Sequence, residues 1–426
     1  MNKKYIFFTS SISIVLFLFI SGCTTDQNQI DNNESDPCGN DVGNGYEIIS
    51  GPSAPDFEGD RDNPFRSLTV HPTDPDIVLI GTERNGFVKT TDGGQSWIRI
   101  REGLRHDRQG YSEIYDICWS ESNTDVIYAV LTDGPCPITG NYPASGGGVY
   151  KSTDGGKNWV RKNCGLPNLA VLCVYVDPND ENHVFIGIEA GIPSFTGFDV
   201  SDTYLNGGIY ETLDGGEIWQ EVEIGSLDYK NTYHQICSAR RDSQLLYAAG
   251  IEDRQVTPNE ENIGFVKSMD GGQTWTQFAS ELRETGVNYF GISSDGMTIY
   301  AMTIDDIHIS NDGGNTWFSK GLNFGALYYI AVSPEDKNRV LYAKGSDVYL
   351  STDGLDSEQK VIEVESVADQ HFTDIVFSPS NPSIIYAVSS GAYPNTSGYN
   401  LYKSLDAGYS FTKLLNIRDE VINVIS

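Results

Sequence analysis

Positive charge is what this chain has least of. Lysine and arginine together number 28 against 59 aspartates and glutamates, a formal net charge of −31 over 426 residues. A field of that sign repels phosphate backbones, so nucleic acid is excluded as a partner; solubility in a salty setting is the plain use of the charge. No segment of useful length carries helical apolar spacing, so nothing competes with an all-β reading. No Cys-x-x-Cys pair is present, which removes the usual zinc and dithiol signatures. A nucleophile elbow and a phosphate-cradling glycine loop are missing as well. Long apolar runs are lacking too, with one exception from Tyr5 to Ile20, preceded by Lys3 and Lys4.

That run is too short and too close to the N-terminus for a spanning helix, and it reads as a signal peptide covering residues 1–22. Its ending, Ile20-Ser21-Gly22-Cys23, resembles a bacterial lipoprotein box. The resemblance implies an acylated Cys23 that holds the chain to a lipid bilayer, on the outer face of a bacterial membrane or in the periplasm. Several acyl chains on one residue anchor durably where one does not. Residues 23–45 are polar, rich in Asn, Asp and Gln, and read as a flexible tether. Six cysteines follow Cys23, enough for up to three disulfides in an exported chain. Cys118 and Cys237 share one strand position two units apart, with Cys173 close to it in the unit between. Buried unpaired thiols explain those three equally well. Cys136 and Cys164 lie in loops and are the preferred pair.

Against these absences stands a phrase repeated seven times: TTDGGQSW from Thr90, STDGGKNW from Ser152, TLDGGEIW from Thr212, SMDGGQTW from Ser268, SNDGGNTW from Ser310, STDGLDSE from Ser351 and SLDAGYSF from Ser404. A period of roughly 40 to 60 residues signals a stacked array. Short alternating apolar runs flank each copy, so each is a β-hairpin with a tight Asp-Gly-Gly turn. The aspartates (Asp92, Asp154, Asp214, Asp270, Asp312, Asp353 and Asp406) are placed to accept turn amides, and the glycines to supply positive φ. The Ser or Thr two residues earlier can bond across the turn. The aromatic five residues after the aspartate is expected to wedge between neighbouring units. The phrase is a structural clip.

The copies resemble the Asp-box, the bacterial neuraminidase repeat with its S/T-x-D-x-G-x-S/T-W pattern. It occurs in sialidases, sortilin-type receptors, the xyloglucanase family and photosystem II assembly-factor propellers. The resemblance covers Tyr46 to the C-terminus and implies a propeller whose boxes close the outer hairpins without taking part in catalysis. The sixth copy departs from the pattern, with Leu355 for glycine and Glu358 for the aromatic, so the sixth blade is expected to be the loosest.

A second phrase, such as SLTVHPTDPDIVLIGT or IVFSPSNPSIIYAVSS, supplies two more strands around a Pro-Asp-Asn turn. Four strands in seven units make a seven-bladed β-propeller over residues 46–426, whose closure protects its sheet edges. How the ring closes stays open: through Val421-Ile-Asn-Val-Ile-Ser, through Tyr46-Glu-Ile-Ile, or with an eighth unit missing.

In such a meander, turns after the first and third strands share one face, and those after the second strand and between blades share the other. The clips take the first face. The long insertions, 132–147, 190–207, 251–263 and 389–399, fall on the second, where loops on a rigid scaffold form binding sites. An acidic rim is expected there from Glu83, Asp133, Glu189, Glu252, Asp305 and Asp347, able to meet cations or sugar hydroxyls or to act as an acid–base pair. Acidic residues are also common wherever strands turn. Upstream, Asp56, Glu58, Asp60 and Asp62 alternate in a way that suits calcium. That loop lacks the glycine at its sixth position and has Ser67 at its twelfth, so a solvated acidic linker is the better account of it.

Three functions compete. A sialidase would need an arginine trio and an Arg-Ile-Pro phrase; Phe65-Arg66 gives a fragment, and Arg240-Arg241 stand at an inner-strand end. A xyloglucanase-like glycosidase is suggested by Thr82-Glu83-Arg84-Asn85-Gly86, which sits where that family has a Thr-Asp-x-Gly-Gly phrase with its general base. Glu83 would then be catalytic, yet that family builds its cleft between two propellers and this chain has length for one. A binding or assembly module for a glycan or protein partner needs only the ring, the loops and the anchor. The last is the reading adopted from the sequence.

Overall fold

Why the repeated phrase forms a turn is visible in its wiring. In all seven copies the Ser or Thr hydroxyl donates to the aspartate Oδ1 at 2.7–2.9 Å. The same hydroxyl oxygen accepts the backbone amide four residues on, at 2.8–3.0 Å. Oδ1 in turn accepts the amide four residues after the aspartate, at 2.8–3.1 Å. Each clip then docks on its own blade: the residue after the aspartate donates its amide to the turn joining the first two strands, as Gly93 does to Asp76 and Gly155 to Asp125, both at 2.9 Å. The two turn types therefore share a face, as the meander requires. Bonds of this kind favour an ionised carboxylate. Asp312 is lowered to about 2, the Thr316 hydroxyl being the largest cause, and Asp353 to about 2 through the Ser357 hydroxyl.

The computed structural model describes residues 65–83, 85–107, 110–132, 146–190, 206–225, 232–251, 265–282, 286–303, 306–322, 327–364, 371–390 and 400–416. They form seven four-stranded antiparallel sheets, each a simple meander in chain order, ringed as a β-propeller. The first blade runs through Phe65–Val70, Val78–Thr82, Phe87–Thr90 and Ile98–Ile100. The inner strands of the others are Glu113–Trp119, Val171–Asp177, Thr232–Ala239, Tyr289–Ile292, Leu327–Val332 and His371–Phe377. A single 3₁₀ turn, Ser280–Leu282, is the only helical element among the described residues. Second strands such as Val78–Thr82 and Ile127–Thr132 are buried at every position, because blades cover them on both faces.

The aromatics wedge as the sequence suggests, each onto the preceding blade. Trp159 stacks on Phe87 with ring centroids 4.3 Å apart, Trp275 meets Phe185 edge-on at 6.0 Å, and Trp317 lies over Phe265 at 6.0 Å. Trp97 packs with Tyr386, Val388 and Leu401 of the seventh blade. The sixth blade corrects an expectation. Leu355, at the glycine position with φ of +69°, is buried against Tyr300, Met302 and Ile309 of the fifth blade. Its amide keeps the clip bond to Ser351 at 2.9 Å. The apolar mass lost with the aromatic is restored three residues earlier, so this junction is filled.

The ring closes by contact between the first and seventh blades, each built from one continuous stretch. The Leu68 amide donates to Asp374 Oδ2 at 2.9 Å, Thr373 Oγ1 donates to the Phe65 carbonyl at 3.1 Å, and Tyr386 OH donates to the Pro75 carbonyl at 3.0 Å. Lys403 reaches Asp76 at 3.1 Å and the Gly93 carbonyl at 3.2 Å. Both segments considered for closure, at Tyr46 and Val421, lie outside the described residues, as do the signal peptide, Cys23, the tether and the acidic loop from Asp56 to Asp62. Cys118, Cys173 and Cys237 carry free thiols. Cys164 is disulfide-bonded, and Cys136, its expected partner, is outside the described residues.

Candidate binding face

Six of the seven inner strands slip register at one place, near their loop-face end. The shifts fall between Phe65 and Ser67, Ile114 and Asp116, Val171 and Cys173, Tyr233 and Gln235, Leu327 and Tyr329, and Phe372 and Asp374. A bulge re-aims the side chains around it. In the six bulged strands it aims a side chain at a junction with a neighbouring blade. Ser67 Oγ donates to the Ile114 carbonyl at 2.9 Å, Asp116 Oδ2 accepts the Val174 amide at 2.9 Å, and Cys173 Sγ donates to the Tyr233 carbonyl at 3.8 Å. Gln235 exchanges two bonds of 2.9 Å with the Phe290 backbone. Tyr289 and Tyr329 lie ring to ring at 5.3 Å, the Tyr329 phenol faces Asp374, and Asp374 accepts the Leu68 amide. Every blade contributes to this polar and aromatic layer around the axis.

Above that layer, towards the loop face, lies a charged mouth. Arg66 forms ion pairs with Glu113, at the start of the second blade's inner strand, and with Glu83 at 3.8 Å. Burial alone would lower the Arg66 pKa, but the Glu113 and Glu83 carboxylates outweigh it and hold the guanidinium charged. Tyr115 sits beside this group, its phenol pushed up by burial and then by Glu113, with Glu189 also within reach. Tyr289 is pushed up to about 12 by burial and Asp374. Burial drives His234 down to about 4, and its Nε2 faces the Asn288 carbonyl. Asp116 is raised to about 6 and Asp374 to about 7, burial being the leading cause in both.

Of the expected rim, Glu83 and Glu189 stand at this mouth. Glu83 is set by a rigid turn: Thr82 Oγ1 donates to the Gly86 carbonyl at 2.7 Å and accepts the Asn85 amide at 2.9 Å. Gly86 has φ of +75°, and a Cβ there would come within 2.6 Å of the Ile100 carbonyl oxygen. Asp347 is elsewhere. Its Oδ2 pairs with Lys360 at 2.7 Å and its Oδ1 accepts the Val364 amide at 3.2 Å, so the carboxylate serves its own blade's outer strand. Asp133, Glu252 and Asp305 lie outside the described residues. Asp306, next in chain, is described; its carboxylate accepts the Ile307, Gly321 and Leu322 amides at 2.8–3.0 Å. Arg240 and Arg241 belong to the clip face, where Arg240 Nη2 crosses to the Pro379 carbonyl at 2.9 Å, so they cannot join Arg66 in an arginine trio. Sequence reasoning missed Glu113, Tyr115, Asp116, His234 and Asp374. The bulge that gathers them has no local residue signature.

The long insertions join second to third strands. They leave from Thr132, Ala190, Ile251 and Ser390 and return at Gly146, Asn206, Phe265 and Asn400, so their ends stand on the face of this mouth.

Comparison with known proteins agrees on the fold. No family model matches the chain. A xyloglucanase from Paenibacillus sp is 26% identical over 183 residues, 42% of this chain and 17% of that protein. One from Hypocrea jecorina (strain QM6a) is 24% identical over 246 residues, 56% and 25% of the two chains. This chain thus spans a quarter or less of the length of those curated relatives. Among solved structures, YCF48 bound to D1 peptide superposes with a TM-score of 0.55 at 15% identity, covering 81% of this chain and 94% of that one.

Proposed function

We propose that this chain is an exported, lipid-anchored β-propeller that binds a glycan or protein partner through its loop face. The observation that carries the reading is the contrast between the faces. On the clip face all seven blades end in short, side-chain-wired turns. On the other, four blades carry long connections whose ends share the face of a mouth bearing ionisable and aromatic side chains from several blades. Concave, loop-framed sites on rigid scaffolds are where ligands bind. The structural likeness to YCF48 bound to D1 peptide supports a partner-binding propeller by analogy.

A second reading, glycoside hydrolysis, is favoured by the similarity to two xyloglucanases. Glu83 would be its base. Its carboxylate is already engaged by Arg66, and a glycosidase needs a second carboxyl at a set separation, about 5–9.5 Å. Glu113, the carboxylate beside it, is spent on the same guanidinium.

Glycan and peptide arrays probed with the chain from Tyr46 onward test the reading. Saturable binding weakened by Glu189→Arg at the mouth, and untouched by Lys157→Glu on the clip face, is expected. Binding lost through Lys157→Glu alone would put the partner on the opposite face and refute it.

A further inference from the structure

Three of the seven blade junctions meet at two buried carboxyls, Asp374 serving both the sixth–seventh junction and the seventh–first. Asp374 Oδ2 holds the Leu68 amide at 2.9 Å where the seventh blade meets the first, and Asp116 Oδ2 holds the Val174 amide at 2.9 Å between the second and third. The remaining junctions use a hydroxyl, a thiol, a carboxamide and tyrosine rings, none of which changes charge near neutrality. Burial raises Cys173 well above the ordinary thiol range and pushes Tyr289 up to about 12.

An ionised form of either carboxyl would find backbone amides, Leu68 for Asp374 and Ile117 with Val174 for Asp116, but no cation among the described residues. Asp374 faces the Tyr329 hydroxyl from the sixth blade, Tyr289 from the fifth and Asp116 from the second. Asp116 faces Cys118 on its own strand, Cys173 on the third blade, and the same two tyrosines. Arg66, on the first blade's inner strand, is engaged by Glu113 and Glu83. Among the described residues neither carboxyl has an ion-pair partner. A buried carboxylate without a counter-ion is costly, so the group keeps its proton instead.

We propose that the junction between the seventh and first blades is a proton-operated latch, shut when Asp374 carries its proton and loosened when that proton is lost. The junction suits such a role because it is the point where a continuous chain must meet itself, and among the described residues it is made of side-chain bonds and packing, with the four strands of each blade drawn from one stretch. The direction follows from linkage. Burial raises Asp374 to about 7 in the closed ring, against about 3.9 for a carboxyl in water. The closed ring therefore binds the proton more tightly than the open one. Its contribution is complete below the aqueous value and is lost as pH rises through about 7. Asp116, raised to about 6, acts in the same sense at its own junction.

Amide hydrogen exchange on the full chain, corrected for its intrinsic pH dependence, reads opening at Leu68 and its neighbours. Between about pH 5 and 7 the opening constant in the wild type should rise, by up to about tenfold per pH unit for one proton released. Asp374→Asn keeps an acceptor for the Leu68 amide but has no proton to lose, so its opening constant should stay level. A wild-type constant that is flat or falls with pH, or an equal climb in Asp374→Asn, would overturn the latch. Should that variant fail to fold, NMR titration of the wild-type Asp374 carboxyl carbon decides. A midpoint well above the ordinary carboxylate range supports the latch, and one within or below that range refutes it.

Discussion

Leu355 shows how far one side chain can move the reading of a repeat. It occupies a glycine position at φ of +69°, which costs a leucine about 1–2 kcal/mol. It also fills the gap against Tyr300, Met302 and Ile309. Deleting a buried leucine costs about 2–5 kcal/mol, so packing outweighs strain. Leu355→Gly should lower stability by about 1–3 kcal/mol, read from the shift in urea midpoint. An unchanged or raised midpoint would mean that backbone relief dominates. Side chains that act within a few residues of themselves were legible in the sequence, and all seven clips form as their Ser/Thr-Asp-Gly spacing dictates. Asp116 and Asp374 were not, because their partners Val174 and Leu68 lie in other blades, tens or hundreds of residues away in chain. Asp347 looked like a rim residue by its place after a second strand, but Lys360 lies within reach and takes its carboxylate.

At the scale of elements, the links between blades carry the tightest constraints. Gly103 follows the first blade with φ of +80°, and a Cβ would fall 1.9 Å from the Trp159 carbonyl oxygen of the second. Gly165 repeats the arrangement with Trp219 at 2.2 Å, whereas Gly225, with φ of +56°, has nothing within 4 Å. Gly103→Ala should therefore cost about 2–4 kcal/mol, backbone strain adding to displacement of the next blade. Gly225→Ala should cost only the backbone share, about 1–2 kcal/mol. Thermal unfolding of the two variants side by side checks this, and equal losses would show that the linkers do not set the blade-to-blade approach. Strand order, hairpins and the assignment of clips to one face could be read from the sequence, since a meander leaves no alternative. The inner-strand bulge could not, because the phase break it makes falls within the first few residues of the strand, where too little of the alternation precedes it to reveal a change.

The described residues form a ring with one face wired by clips and the other bearing the charged mouth, and the chain's charge makes it a poor match for anionic polymers. The mouth concentrates this asymmetry: Arg66 is fixed between Glu83 and Glu113, on a floor of tyrosines. If the ring is a binding module, Glu83 positions Arg66 and turns nothing over. If it is a glycosidase, Glu83 must leave that ion pair and activate water. The direct measurement is release of reducing ends from a panel of plant and algal polysaccharides, xyloglucan included, by the wild type and by Glu83→Gln. The account predicts no release above the blank from either protein. Hydrolysis by the wild type that disappears in Glu83→Gln would contradict it.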